Sequence, residues 1–187
     1  MQSYTFSSTL IGIEAKLVRV EVAISNGLPG LLVVGLPDAA VNEAGARVRS
    51  ALRASGFPWP PRRVVVNLSP ADLRKQGSGF DLAIALGILE ALGEIPAQAL
   101  ARSLIMGELS LDGSIRAVRG LVPALSMAAQ TSEIDRVVIS ADQQEREFVI
   151  DPLQVYPLSS LAQAAEVLAG KAAVPRWKTQ QDHAAPA

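Results

Sequence analysis

From Lys16 to Ile24 the chain alternates apolar and polar residues, the two-residue period of a half-buried β-strand. Gly27 and Pro29-Gly30 mark a turn before Leu31-Leu-Val-Val34, so the two segments are predicted to form a β-hairpin. Gly35-Leu-Pro-Asp38 then breaks the strand, and Asp38 suits the N-cap of a helix that runs to about Ser55 and stops at Gly56, Pro58, Pro60 and Pro61. Val41, Ala44, Val48 and Leu52 recur at helical spacing and define the buried face of that helix. Arg49 and Arg53 fall together on another face, with Arg47 near them.

Arg62 to Leu68 reads as a short apolar strand entered by two arginines, followed by a loop from Ser69 to Gly79. Phe80 to Leu92 is apolar almost all round, with Asp81 its only charge before Glu90, the pattern of a helix inside a core. Strand and helix then alternate. Leu104-Ile-Met106, a turn at Asp112-Gly113, Ile115-Arg-Ala-Val118 and a helix from about Val122 to Ala129 are followed by Arg136-Val-Val-Ile139, a short polar helix near Gln143, Val155-Tyr156 and a helix from Ser160 to Leu168. Alternation without segregation predicts an α/β class with a mixed sheet. Gly170 closes the last helix, and residues 171–187 show no period and are expected to be a linker or disordered tail, leaving a domain of 1–170.

Composition narrows the chemistry. Hydrophobic residues make up 49% of the 187 and charged residues 19%, so the chain has the apolar content to fold. It holds no cysteine, which excludes disulfides, thiolate catalysis and cysteine-ligated metals, and its one histidine, His183, lies in the tail. The longest charge-free apolar run, Leu82 to Leu89, is too short to span a bilayer, and Met1 to Phe6 lacks the features of a targeting segment, so a cytoplasmic protein without a membrane partner is expected. The net charge of -1 conceals an uneven distribution: residues 47–75 hold Arg47, Arg49, Arg53, Arg62, Arg63, Arg74 and Lys75 against the single acid Asp72. If these converge in space they form a phosphate-binding surface, to which Trp59 and Phe57 could add stacking, and all seven are candidate DNA contacts. Solvated faces and subunit salt bridges are the competing explanation for such a cluster.

Other motifs fail on inspection. Gly77-Ser-Gly-Phe-Asp-Leu82 lacks the third glycine of a dinucleotide fingerprint, and Gly170-Lys171 lacks the rest of a phosphate loop, with Ala165 and Ala172 in place of glycine and a hydroxyl. Ser78 and Lys75 could pair only if desolvated, and a solvated loop is the expected state. Asp81, in the first turn of an apolar helix, reads as a charge held by the helix dipole and backbone bonds, and Asp112-Gly113 as a hairpin turn. No metal site is encoded.

Four segments carry a resemblance: Gly35-Leu-Pro-Asp-Ala-Ala-Val41, Val66-Asn-Leu-Ser-Pro-Ala-Asp72, Gly77 to Leu89, and Gly107-Glu-Leu-Ser-Leu-Asp-Gly113 with Val118-Arg-Gly120. Over about residues 3–170 the chain resembles the N-terminal domain of the ComM/YifB group of magnesium-chelatase-like AAA+ ATPases. It departs from that group mainly at Asn42 to Arg47, where a more charged run is usual. The resemblance implies a fold with βαβ units like the Lon proteolytic domain and domain 2 of ribosomal protein S5. Against the Lon motifs, Gly79 stands at the nucleophile position and Val122 at the lysine position, which implies no catalytic residues and no peptidase activity. It further implies a following AAA+ module on the same polypeptide that binds ATP and Mg²⁺, hexameric rings, and DNA branch migration in natural transformation. This chain would then be a non-catalytic accessory domain, free of cofactor, contributing DNA contact, ring assembly or both. A protein-interaction module without DNA contact and a degenerate serine peptidase are the alternatives.

Overall fold

A computed structural model describes residues 1–143 and 151–176. The elements are β1 (Gln2–Ile11), β2 (Glu14–Ser25), β3 (Gly30–Val34), α1 (Ala39–Asn42), α2 (Ala44–Ala54), β4 (Arg63–Ser69), α3 (Asp81–Leu92), β5 (Ser103–Ile105), β6 (Glu108–Leu109), β7 (Ile115–Arg116), α4 (Leu121–Ala129), β8 (Arg136–Ser140), β9 (Gln154–Leu158) and α5 (Leu161–Leu168). Seven strands form one mixed sheet in the order β3-β4-β2-β1-β5-β8-β9, and β6 and β7 form a small hairpin across the Asp112-Gly113 turn. The β1–β2 and β2–β4 pairs are antiparallel, while β3–β4, β1–β5, β5–β8 and β8–β9 are parallel. The class is α/β, as the sequence predicts. The short helix expected near Gln143 and most of the expected tail fall on 144–150 and 177–187, outside the described residues.

The expected hairpin between the second and third apolar segments does not form. β4 inserts between β2 and β3, pairing Arg19–Ser25 with Arg63–Ser69, and β3 lies parallel to its other side at the edge of the sheet. The true hairpin joins β1 to β2 through the turn at Gly12. β1 reads as polar because one of its faces is made of hydroxyls: Ser3, Thr5, Ser7 and Thr9 are all buried. They lie beside Val22, Val20 and Val18 of β2 under α3, and small side chains there let the helix come close. Ser3 Oγ donates to the Gly87 carbonyl of α3 at 2.7 Å, and a Cβ at Gly87 would sit 2.6 Å from Val22. Thr5 Oγ1 reaches the carbonyls of Leu100 and Ser103.

One core packs α2, α3 and α5 against this face, with Leu82, Ile84, Leu86, Ile88 and Leu89 of α3 fully buried. A second core on the opposite face sets Leu121, Ala124, Leu125 and Ala128 of α4 against Phe6, Leu104, Val137 and Ile139. The predicted helix from Asp38 breaks at Glu43 into α1 and α2, but Val41, Ala44, Val48 and Leu52 all face the core. Asp38 caps it, its Oδ1 accepting from the Val41 amide and its Oδ2 from the Gly77 amide.

Gly35 explains why the chain must leave β3 as it does. Its φ of +105° is reached by few side-chain-bearing residues, and a Cβ would lie 2.1 Å from the Leu68 carbonyl oxygen of β4, a backbone atom that cannot step aside. Gly35→Ala is therefore expected to cost at least about 2 kcal/mol, seen as a lowered urea midpoint; an unchanged midpoint would contradict this account of the turn.

Candidate nucleic-acid interface

The seven basic residues singled out in the sequence do not make one patch. Arg47 is withdrawn from it: its Nε meets Asp81 Oδ2 at 2.6 Å, its Nη2 meets Asp81 Oδ1 at 3.0 Å, and Nη2 also donates to the Ala40 carbonyl at 2.7 Å. A two-toothed fork of this kind is the strongest ion-pair geometry available to arginine. Asp81 is fully buried, and burial pushes its carboxyl up while the Arg47 fork and the Leu109 amide, donating at 3.2 Å, pull it back. The pair holds the Arg47 guanidinium firmly charged, against a smaller cost of burial. Asp81 is thus a structural charge, as its place in the first helical turn suggests, with Arg47 as the partner that turn alone does not disclose.

Lys75 is withdrawn as well. It is fully buried, with Nζ donating to the Pro70 carbonyl, and its backbone is fixed by Asp38 and Leu36. Burial pushes its ammonium down, partly opposed by Asp72. A solvated lysine in an open loop is therefore not what forms: the loop folds over the side chain. The lysine does not meet Ser78, whose hydroxyl donates to Glu108 instead.

Arg49, Arg53, Arg62, Arg63 and Arg74 remain at the surface, and none makes an ion pair among the described residues. Arg49 and Arg53 line a groove of about 490 Å³ between α2 and the segment that enters β4. Trp59 forms one wall, with the Arg49 guanidinium 5.8 Å from its ring centroid, and Gly30, Gly45 and Ala46 leave room between. No carboxylate lines this groove. Trp59 and Phe57 also pack against the main core, so the tryptophan both caps the core and faces the arginines. Arg62 and Arg63 enter β4 beside Gly30, and the strand alternation puts Arg63 with Val65 and Asn67 on the sheet face opposite α2. Arg74 lies at the far end of β3, next to the Lys75–Leu36 contact.

Of the two positions aligned with a peptidase dyad, Gly79 and not Val122 lines a second hollow of about 330 Å³ bounded by Thr9, Gln76, Ser78, Glu108 and Arg119. A Cβ at Gly79 would meet only Val118 at an ordinary 3.7 Å, so the site has space for a side chain and the sequence supplies none. Val122 is partly buried in the first turn of α4. Among the described residues no group of three or more histidine, acidic or cysteine side chains could hold a metal. Gly170-Lys171 follows the C-terminal end of α5, where the helix dipole repels phosphate, so these residues do not fit a nucleotide. No helix among the described residues is long and apolar enough to cross a membrane.

Comparison with known proteins places this geometry. Residues 20–143 match the family model described as subunit ChlI of Mg-chelatase, which is more than half of the chain. The chain belongs to this magnesium-chelatase-like AAA+ family. Within it the similarity is to ComM and YifB proteins. It is 41% identical over 170 residues to the competence protein ComM of Haemophilus influenzae, covering 91% of this chain and 33% of that protein. It is 35% identical over 176 residues to the uncharacterized protein YifB of Escherichia coli, covering 94% and 34% respectively. The chain thus spans about a third of the length of these relatives.

Removing Arg47 would leave the Asp81 charge buried without a partner. Arg47→Met is expected to destabilise the fold by about 3–5 kcal/mol, and much less when combined with Asp81→Asn. Strictly additive effects in this double-mutant cycle, followed by urea unfolding, would show that the pair is not coupled.

Proposed function

We propose that this chain is the N-terminal accessory domain of a longer ComM/YifB-type AAA+ protein, and that its part is to contact DNA through the groove between Arg49, Arg53 and Trp59. The observation that carries the proposal is that groove: two arginines one helical turn apart, no carboxylate among its lining residues, and an aromatic wall. Phosphate complements unpaired guanidinium groups, and a ring face accepts a base or sugar. The printed name of the ComM relative associates it with competence, which fits a protein that handles incoming DNA. On this reading ATP, Mg²⁺, ring formation and branch migration belong to the rest of the polypeptide, and this chain carries no catalysis of its own.

Two measurements test the reading. Binding of the 187-residue chain to duplex DNA should weaken steeply with salt, and Arg49→Ala with Arg53→Ala should lower the slope of log K against log salt by about 2, since each phosphate contact contributes about 0.9. A slope unchanged by the double substitution would remove the groove from the interface. Casein and short peptides should not be turned over, and turnover that disappeared in Ser78→Ala would favour the peptidase alternative.

A further inference from the structure

The sheet ends in two edge strands of opposite character. β9 contains Pro157, which has no N–H to offer an added strand. β3 carries no such block. From Gly30 to Val34 there is neither a charged residue nor a proline, although edges are commonly protected by charge, proline or a bulge; Pro29 and Pro37 lie just outside the strand. Its outward side chains are apolar, Leu32 being 45% and Val34 38% exposed, and Leu28 and Leu36 on either side of the strand are exposed as well. Leu31 and Val33 point the other way and pack on the core. The outward side chains lie over β3 and β4, beyond the α4 core, which reaches only as far as Ala15 and Leu17 of β2.

We propose that this edge pairs with the same edge of a second copy of the chain, β3 against β3, in an antiparallel contact about a two-fold axis. The occupant follows from the contrast between the edges. A head-to-tail contact would have to use β9, where proline interrupts the donors, so the match for the open edge of one copy is the open edge of another. Two-fold symmetry then makes the pairing antiparallel. Centred on Leu32, the register sets Leu32 against its own counterpart and Val34 against Gly30. The uncharged strand is its own complement, because no like charges meet across the axis. A two-fold contact closes on itself, so it joins two chains and does not by itself build a ring. The groove shares Gly30 and Leu31 with this strand, but its two arginines, Arg49 and Arg53, lie on α2, outside the pairing strand, so the two contacts can be tested separately.

The absence of cysteine makes the test direct. Directly opposed residues in an antiparallel pair have Cα atoms about 4.5–5.5 Å apart, within disulfide reach. In Leu32→Cys, mild oxidation is expected to convert most of the protein to a covalent dimer. Ile13→Cys, 91% exposed at the β1–β2 turn, reports random collision and should remain largely monomeric. Sedimentation equilibrium should show a concentration-dependent dimer for the unaltered chain and a monomer for Leu32→Lys, with circular dichroism establishing that Leu32→Lys is folded. Arg49→Ala with Arg53→Ala should leave the dimer intact whether or not DNA binding is lost. A chain that stays monomeric at every concentration, cross-linking at position 32 no faster than at position 13, or a dimer that persists in folded Leu32→Lys would overturn the proposal.

Discussion

Asp81 has no exposed surface and sits at the start of a helix whose other residues up to Leu89 are all apolar or glycine, so its charge governs what surrounds it. An ionised carboxylate in such a place is tolerable only with a close counter-charge and further donors. Arg47 supplies the first from α2, and the Leu109 amide of β6 supplies the second. The guanidinium also spans to Ala40 of α1. One buried interaction thereby ties α1, α2 and the β6–β7 hairpin to α3. The orientation of α2 set in this way is what presents Arg49 and Arg53 outward. An arginine two positions along the chain is spent on architecture so that its neighbours can face solvent together.

The same logic governs the loop before α3. Asp38 accepts amides from Val41 and Gly77, and Lys75 is buried between backbone contacts to Asp38 and Leu36. The motif segments Gly35 to Val41 and Gly77 to Leu89 are therefore two sides of one junction. Their residues serve close backbone approach, capping and a buried ion pair. In the hollow beside Gly79 the Ser78 hydroxyl donates to Glu108, while Lys75 is turned away to the Pro70 carbonyl.

Much of the fold was legible because period and punctuation agree: the apolar positions of α2, the all-round apolar α3 and the Asp112-Gly113 turn each follow from local rules. Two features were hidden for physical reasons. β1 buries hydroxyls, of which Ser3 and Thr5 meet carbonyls 84 to 98 residues away, so its inner face looks solvent-exposed in the sequence. The hairpin expected of β2 and β3 was displaced because β4 buries Val64, Val66 and Leu68 on one side and carries Val65 on the other, which favours an interior position over β3. At the site, a run of basic residues in sequence was divided by folding into a pair in a groove, a pair beside the sheet edge, one at its far end and two taken inside. The partner of Asp81 had a usable signal: a carboxylate on a helix that is apolar all round requires a cation from elsewhere, and Arg47 lies at the margin of the neighbouring helical face.

The placement of β1 has a consequence for how the molecule holds together. Strands β1 to β4 build one side of the sheet and β5, β8 and β9 the other, and the two sides meet through β1 and β5, where the ladder is a single pair, Phe6 with Leu104. Backbone hydrogen bonding across this seam is thin. The join is made instead by α3 on one face and by α4 on the other, each packing against strands that flank it. The sheet is accordingly two halves riveted from above and below, and its shortest backbone ladder runs through its centre rather than along its edges.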